Sequence, residues 1–228
     1  MKQSIVLVLA ITIAYIGTLS AGGKVKSEVP VAIVMKVIKD VNVKKASGNW
    51  ANAKIGIPLS SNDEIKTGDK SLVLIKFTDN SILRVRENST LKIYADKNKG
   101  SISKNTYIDQ GKVGFHVTKQ QDEEFKFTTP TMVASIRGTS GEFEVFSDST
   151  LLILGEGSVD INALKGLRGS GTIHGGEHML VDNQGNINLY KNAEHETKEL
   201  GNSERTNIKR LIIKTNEGDL VIEYLGDN

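Results

Sequence analysis

The chain has 228 residues, 38% of them hydrophobic and 25% charged, a globular balance rather than a disordered one. Its 29 basic and 27 acidic residues are interspersed and leave a net charge of +2, which argues against the basic face or stripe of a nucleic-acid binder. Cysteine is absent, so disulfides, thiolate metal sites, cysteine nucleophiles and a lipid-acceptor cysteine are all excluded.

Met1-Lys2-Gln3 makes a short basic start. Ile5 to Ile16 is apolar apart from Thr12, and small residues follow at Gly17-Thr18-Leu19-Ser20-Ala21-Gly22-Gly23. This is the layout of a secretory signal peptide over residues 1–22, with cleavage expected after Ser20, Ala21 or Gly22. An uncleaved anchor is the alternative, and membrane attachment is expected only in that case. Either way the rest of the chain is expected outside the cytoplasm, in the periplasm or at the surface of a bacterium.

Beyond the leader, apolar residues recur at period two. In Val31 to Val43 the odd positions are apolar except Lys39. The beat returns at Val73, Ile75 and Phe77, then at Leu83 and Val85, and then at Leu91 and Ile93. Further on it marks Val113, Phe115 and Val117, Phe125 and Phe127, and Phe143 and Val145. Alternation of this kind puts one side of a strand on a core and the other in water. Later strands are expected at Leu151 to Leu154, Val159 and Ile161, Met179 and Val181, and Ile187 and Leu189. Between them lie turn residues: Thr67-Gly68-Asp69, Asp79-Asn80, Asn98-Lys99-Gly100, Gln110-Gly111, Gly155-Glu156-Gly157 and Asp182 to Gly185. The pattern predicts an all-β, antiparallel domain of sandwich, jelly-roll-like or β-roll type. Residues 191–210 are polar and charge-mixed, expected as a connector or a solvated helix. Residues 211–228 read as a closing β-hairpin, which two strands alone would leave marginal.

Read in order, the turns resemble the FecR-like domain of bacterial envelope proteins. The blocks are Trp50-Ala51-Asn52-Ala53-Lys54-Ile55-Gly56 with Asp63-Glu64-Ile65-Lys66-Thr67-Gly68-Asp69-Lys70-Ser71, then Phe77-Thr78-Asp79-Asn80-Ser81. Thr129-Pro130-Thr131-Met132-Val133-Ala134-Ser135-Ile136-Arg137-Gly138-Thr139 follows, then Gly155-Glu156-Gly157-Ser158-Val159 and a last turn and strand at Gly176-Glu177-His178-Met179-Leu180-Val181-Asp182-Asn183, over about residues 30–190. At Asn80 the family more often has Gly, and Asn tolerates the same positive φ. The resemblance implies an extracytoplasmic binding, scaffolding or signal-relay domain without family-wide catalysis. The family's eponymous regulators place a cytoplasmic anti-sigma segment before a membrane span. With only Met1 to Ser4 ahead of the apolar stretch, a stand-alone exported member is expected here.

Physical chemistry offers a structural role for each motif residue. Asp63 and Asp69 are suited to accept backbone N–H groups near Gly68. Pro130 marks a strand end, and Gly138 a bulge or close backbone approach. The Arg137 guanidinium is suited to tie carbonyls or a carboxylate together, with an anion or glycan site at Arg137 and Thr139 as the functional alternative. Trp50 reads as structural.

Catalytic sets are hard to find. His174 and His178 are separated by Gly175-Gly176 and lack a third ligand. Asp122-Glu123-Glu124 reads as a solvated turn, and the Gly166 to Gly171 stretch lacks a phosphate loop's lysine. A non-enzymatic protein with no cofactor is therefore expected, partnered by another envelope protein or a cell-wall or surface glycan. The alternatives are a glycan-active protein and a structural subunit of an envelope assembly, joined through its terminal hairpin by strand addition.

Overall fold

The computed structural model describes residues 29–98, 101–119, 125–191, 208–215 and 218–225. The leader, residues 120–124 and most of the polar connector lie outside these. Among the described residues every regular element is a strand, so the all-β expectation holds.

The strands are β1 (Ala32–Ile38), β2 (Val41–Lys44), β3 (Trp50–Asn52), β4 (Pro58–Leu59), β5 (Glu64–Thr67), β6 (Leu72–Phe77), β7 (Ile82–Val85), β8 (Thr90–Asn98) and β9 (Ser101–His116). They continue with β10 (Phe125–Thr128), β11 (Met132–Ile136), β12 (Ser140–Val145), β13 (Ser149–Glu156), β14 (Ser158–Ala163), β15 (Ser170–His174), β16 (Glu177–Asp182) and β17 (Ile187–Lys191). One layer runs β4-β1-β6-β7-β9-β12-β13-β16-β17. The other runs β3-β2-β5-β8-β9-β10-β11-β14-β15. Strand β9 belongs to both, pairing with β8 and β10 through its first part and with β7 and β12 through its last. All these pairings are antiparallel except β9 with β10. A further pair, β18 (Ile208–Thr215) and β19 (Gly218–Leu225), forms its own two-stranded sheet, and its first strand starts three residues before the expected hairpin.

Most strands are halves of longer ribbons that bend from one layer to the other. Residues 32–44, 64–77, 82–98, 101–116, 132–145, 149–163 and 170–182 each contribute to both sheets. A residue with positive φ sits at every bend: Lys39, Lys70, Asn88, Gly111, Gly138, Gly157 and Gly176. Register places the first four bends on one flank of the sandwich. The last three lie on the opposite flank, because β9 crosses the middle and the chain then re-enters the second layer at β10.

The inward side chains of both layers form one apolar core. Its centre is a run of phenylalanines, with Phe127 5.2 Å from Phe115 and 5.0 Å from Phe143, and Phe77 edge-on to Phe125 at 5.0 Å between centroids. The period-two reading matches burial through most strands; besides Leu189 of β17, which is exposed, it departs in β1. There Ala32 and Val34 are buried, while Ile33 and Met35 face solvent. A bulge between Val34 and Lys36 shifts the pairing with β6 and changes the phase of the alternation.

Candidate functional site

The bends concentrate the motif residues. On the first flank, the Thr67 hydroxyl donates to the Arg86 carbonyl at 2.6 Å and accepts the Ser89 N–H at 3.0 Å. Gly68 N–H bonds the Asp40 carbonyl at 2.9 Å, and Asp40 N–H bonds the Ser71 hydroxyl at 3.0 Å. The Ser89 hydroxyl takes the Lys112 N–H at 3.0 Å, beside Gly111. Thr67, Ser71 and Ser89 are all buried. They supply the hydrogen bonds that bent ribbons cannot make as regular ladders. Thr67→Val would strand both the Arg86 carbonyl and the Ser89 N–H. It is expected to cost about 1–3 kcal/mol, read as a lowered midpoint in urea unfolding.

Asp63 serves a neighbouring loop, not the Gly68 turn. Its buried carboxylate accepts the N–H groups of Ser60 (2.8 Å) and Ala46 (3.1 Å) and pairs with the Lys45 ammonium at 2.6 Å. Gly56 takes a φ of +88° in a separate turn, with open space where a Cβ would stand.

On the second flank, Gly138, Thr139, Gly155 and Gly157 meet across neighbouring ribbons. Thr139 carbonyl accepts the Val117 N–H at 2.9 Å, and the Gly157 carbonyl accepts the Gly175 N–H at 2.8 Å. A Cβ on Gly157 would stand 2.3 Å from the Thr139 methyl. Arg137 is solvent-exposed at this bend. The Thr139 hydroxyl is buried without a hydrogen bond. Pro130 lies in the turn between β10 and β11.

Each half of the sandwich is closed by bends on one flank, and a buried polar contact ties the layers on its other flank. For the first half this is Asp79, in the β6–β7 turn, paired with Lys104 of β9 at 2.7 Å, with side chains only 5% and 1% exposed. The other Asp79 oxygen takes the Ser81 N–H at 2.8 Å, and the Ser81 hydroxyl takes the Thr118 N–H at 3.1 Å. For the second half it is a hydroxyl cluster in which Thr150 lies 2.9 Å from Thr129 and 2.8 Å from Thr131. Sequence reasoning missed Lys104. Its signal was a lysine in the inward phase shared with Thr106 and Ile108.

The β16–β17 turn is organised by Asp182. Burial opposes ionisation there, but bonds from the Asn186 side chain and the backbone N–H groups of Asn186, Gln184 and Gly185 outweigh it and hold the carboxyl below its ordinary range. A depressed folded-state value stabilises the turn above the unfolded pKa of about 3.9, and the contribution disappears as pH falls through the folded value. The Asp182 carboxyl resonance should therefore titrate below that of an unfolded aspartate, and Asp182→Asn should abolish this part of the acid sensitivity.

Across the outer face of the second layer, register aligns Trp50, Lys44, Glu64, Lys92 and Tyr107 on adjacent strands β3, β2, β5, β8 and β9. Glu64 lies 3.5 Å from Lys44 and 3.7 Å from Lys92. Lys44 stands over the Trp50 ring at 5.9 Å and Lys92 over the Tyr94 ring at 5.3 Å. Burial, with Asp109 and Tyr94 close by, raises the Tyr107 phenol above its ordinary value, so it remains a hydroxyl donor at neutral pH. Trp50 is 43% exposed on an edge strand and takes no place in the core. His174 and His178 lie on β15 and β16, in different layers. No group of three metal-ligating side chains occurs among the described residues.

Residues 63–160 match the family described as FecR protein. Trp50 and Gly56 precede the matched segment. No curated protein matches the chain. Two crystal structures of a candidate anti-sigma factor from Parabacteroides distasonis, at 1.65 and 2.50 Å resolution, resemble it with a TM-score of 0.48 and 13% identity. The likeness covers 56% of this chain and spans 59% of that one. The likeness to the FecR protein family is thus carried by one segment of the chain, residues 63–160.

Proposed function

We propose that this protein is an exported, non-catalytic FecR-domain module that binds a partner in the bacterial envelope and takes part in signal relay there. The observation that carries the reading is the FecR match at residues 63–160 on a chain whose first 22 residues have a secretory layout. Two features support a binding role over a catalytic one. The motif residues Thr67, Gly68, Ser71, Asp79, Ser81, Thr129, Gly138 and Gly157 are occupied in holding bends and turns. The charged residues that remain are spread over broad sheet faces, where they suit the polar rim of a contact rather than its apolar centre. The binding module occupies residues 30–190, with the terminal hairpin appended through the polar connector.

Fractionation of the native host, with N-terminal sequencing of the recovered protein, tests the export half of this reading. The expected result is protein outside the cytoplasm, either starting after Ser20, Ala21 or Gly22 or retained at the membrane by an uncleaved leader. Recovery as a full-length soluble cytoplasmic protein would overturn it.

A further inference from the structure

We propose that the outer face of the β3-β2-β5-β8-β9 layer is a platform for an acidic polysaccharide, laid across the strands from Trp50 to Tyr107. Most aromatic side chains of the described chain fall into two groups, with the exposed Phe146, and Tyr190 on β17 of the other layer, outside both. Five of its phenylalanines (Phe77, Phe115, Phe125, Phe127 and Phe143) are in the core. Trp50, Tyr94 and Tyr107, each with a polar atom on its ring system, stand together on this one outer face. Trp and Tyr are the residues that offer a flat apolar surface while remaining comfortable in water, and a pyranose ring presents a matching apolar face with hydroxyls around its rim.

The spacing suits an extended chain. Trp50 and Tyr107 are four strands apart, about 19 Å at roughly 4.8 Å per strand, room for several consecutive sugar rings. Between the aromatic ends lie Lys44, Glu64 and Lys92. One carboxylate is shared at 3.5 and 3.7 Å by two ammonium groups, so the centre of the row keeps one uncompensated positive charge. Lys66, which pairs in register with Asn42 and Thr90, adds another on the same face. Asp109, beside Tyr107, bounds the row at its far end. A uronate carboxylate would take the place that a second acid would fill between the lysines. A single-stranded nucleic acid has the same two attractions, flat rings and negative charge. The leader sequence argues for the glycan, the polymer that an exported protein meets.

The platform rests on the reading of this domain as an exported binding module, and the test separates the two. Mature protein is titrated with a polyuronate, with a neutral glucan and with a single-stranded oligonucleotide, alongside Trp50→Ala and Lys92→Gln. Both positions are at the surface, and circular dichroism verifies the fold of each variant. Saturable polyuronate binding is expected, at least tenfold weaker with either variant, weakening as salt rises, and at least tenfold tighter than binding of the other two polymers. The proposal is overturned by no polyuronate binding, by binding indifferent to both variants, or by glucan or oligonucleotide bound as tightly through the same residues. If it fails while an envelope protein still crosslinks to the chain in cells, only the platform is lost.

Discussion

Lys104→Met is expected to destabilise the domain by about 3–5 kcal/mol, a large part of a typical 5–15 kcal/mol total. The substitution keeps much of the apolar stem but removes the ammonium, leaving the Asp79 carboxylate buried beside an apolar chain. Two charges taken out of water are tolerable only together. At 2.7 Å and almost no exposure, the pair has no solvent to substitute for a missing member. Lys104→Met combined with Asp79→Asn removes both charges and keeps a side-chain oxygen for the Ser81 N–H, so it should recover at least half of the loss. Urea unfolding of the single and double variants measures this. A single variant within about 1 kcal/mol of the parent would contradict a closing role for the pair.

The second large effect is expected at Gly111, where β9 passes from one layer to the other at a φ of +98°. A Cβ there would lie 2.3 Å from the Ser89 hydroxyl and 2.5 Å from the Ser89 Cα. Ser89 cannot retreat cheaply, because its hydroxyl already bridges the Glu87 carbonyl and the Lys112 N–H. Left-handed backbone costs a non-glycine residue about 1–2 kcal/mol, and the overlap adds a further 1–3 kcal/mol or so. Gly111→Ala should therefore lose about 3 kcal/mol in thermal or urea unfolding. Gly56→Ala is the matched control. Its φ is +88° with nothing within 4 Å of the new methyl, so only the backbone cost of about 1–2 kcal/mol is expected. Equal losses at the two sites would mean that close packing at the bend contributes nothing.

Much of this fold was legible because burial in a two-layer sheet imposes period two directly on the sequence. The beats at Val73-Ile75-Phe77 and Val113-Phe115-Val117 are inward faces as expected. Ile33 and Met35 broke the rule because a bulge changes the phase without leaving a mark in residue types. Gln110-Gly111 reads as a separator between strands. In the structure it is a bend inside one continuous strand, since a positive-φ glycine turns the ribbon while pairing continues on both sides. Thr67 and Ser71 could be seen as turn residues, but their partners Arg86, Ser89 and Asp40 come from neighbouring ribbons. The same limit hid Lys104 with Asp79, and the row from Trp50 to Tyr107. Those neighbours are set by register between strands far apart in sequence, which periodicity within one strand does not carry.

The function proposed for this chain, with its FecR-like segment at residues 63–160, is binding of a partner outside the cytoplasm. Its most direct test is photo-crosslinking in living cells, with a photoreactive residue placed in turn at exposed positions on each outer face, such as Lys36, Arg84, Lys66 and Thr172. The account predicts that one face yields a discrete, saturable adduct with an envelope component while the other yields none. Adducts with cytoplasmic proteins alone, or no adduct from any position, would contradict it.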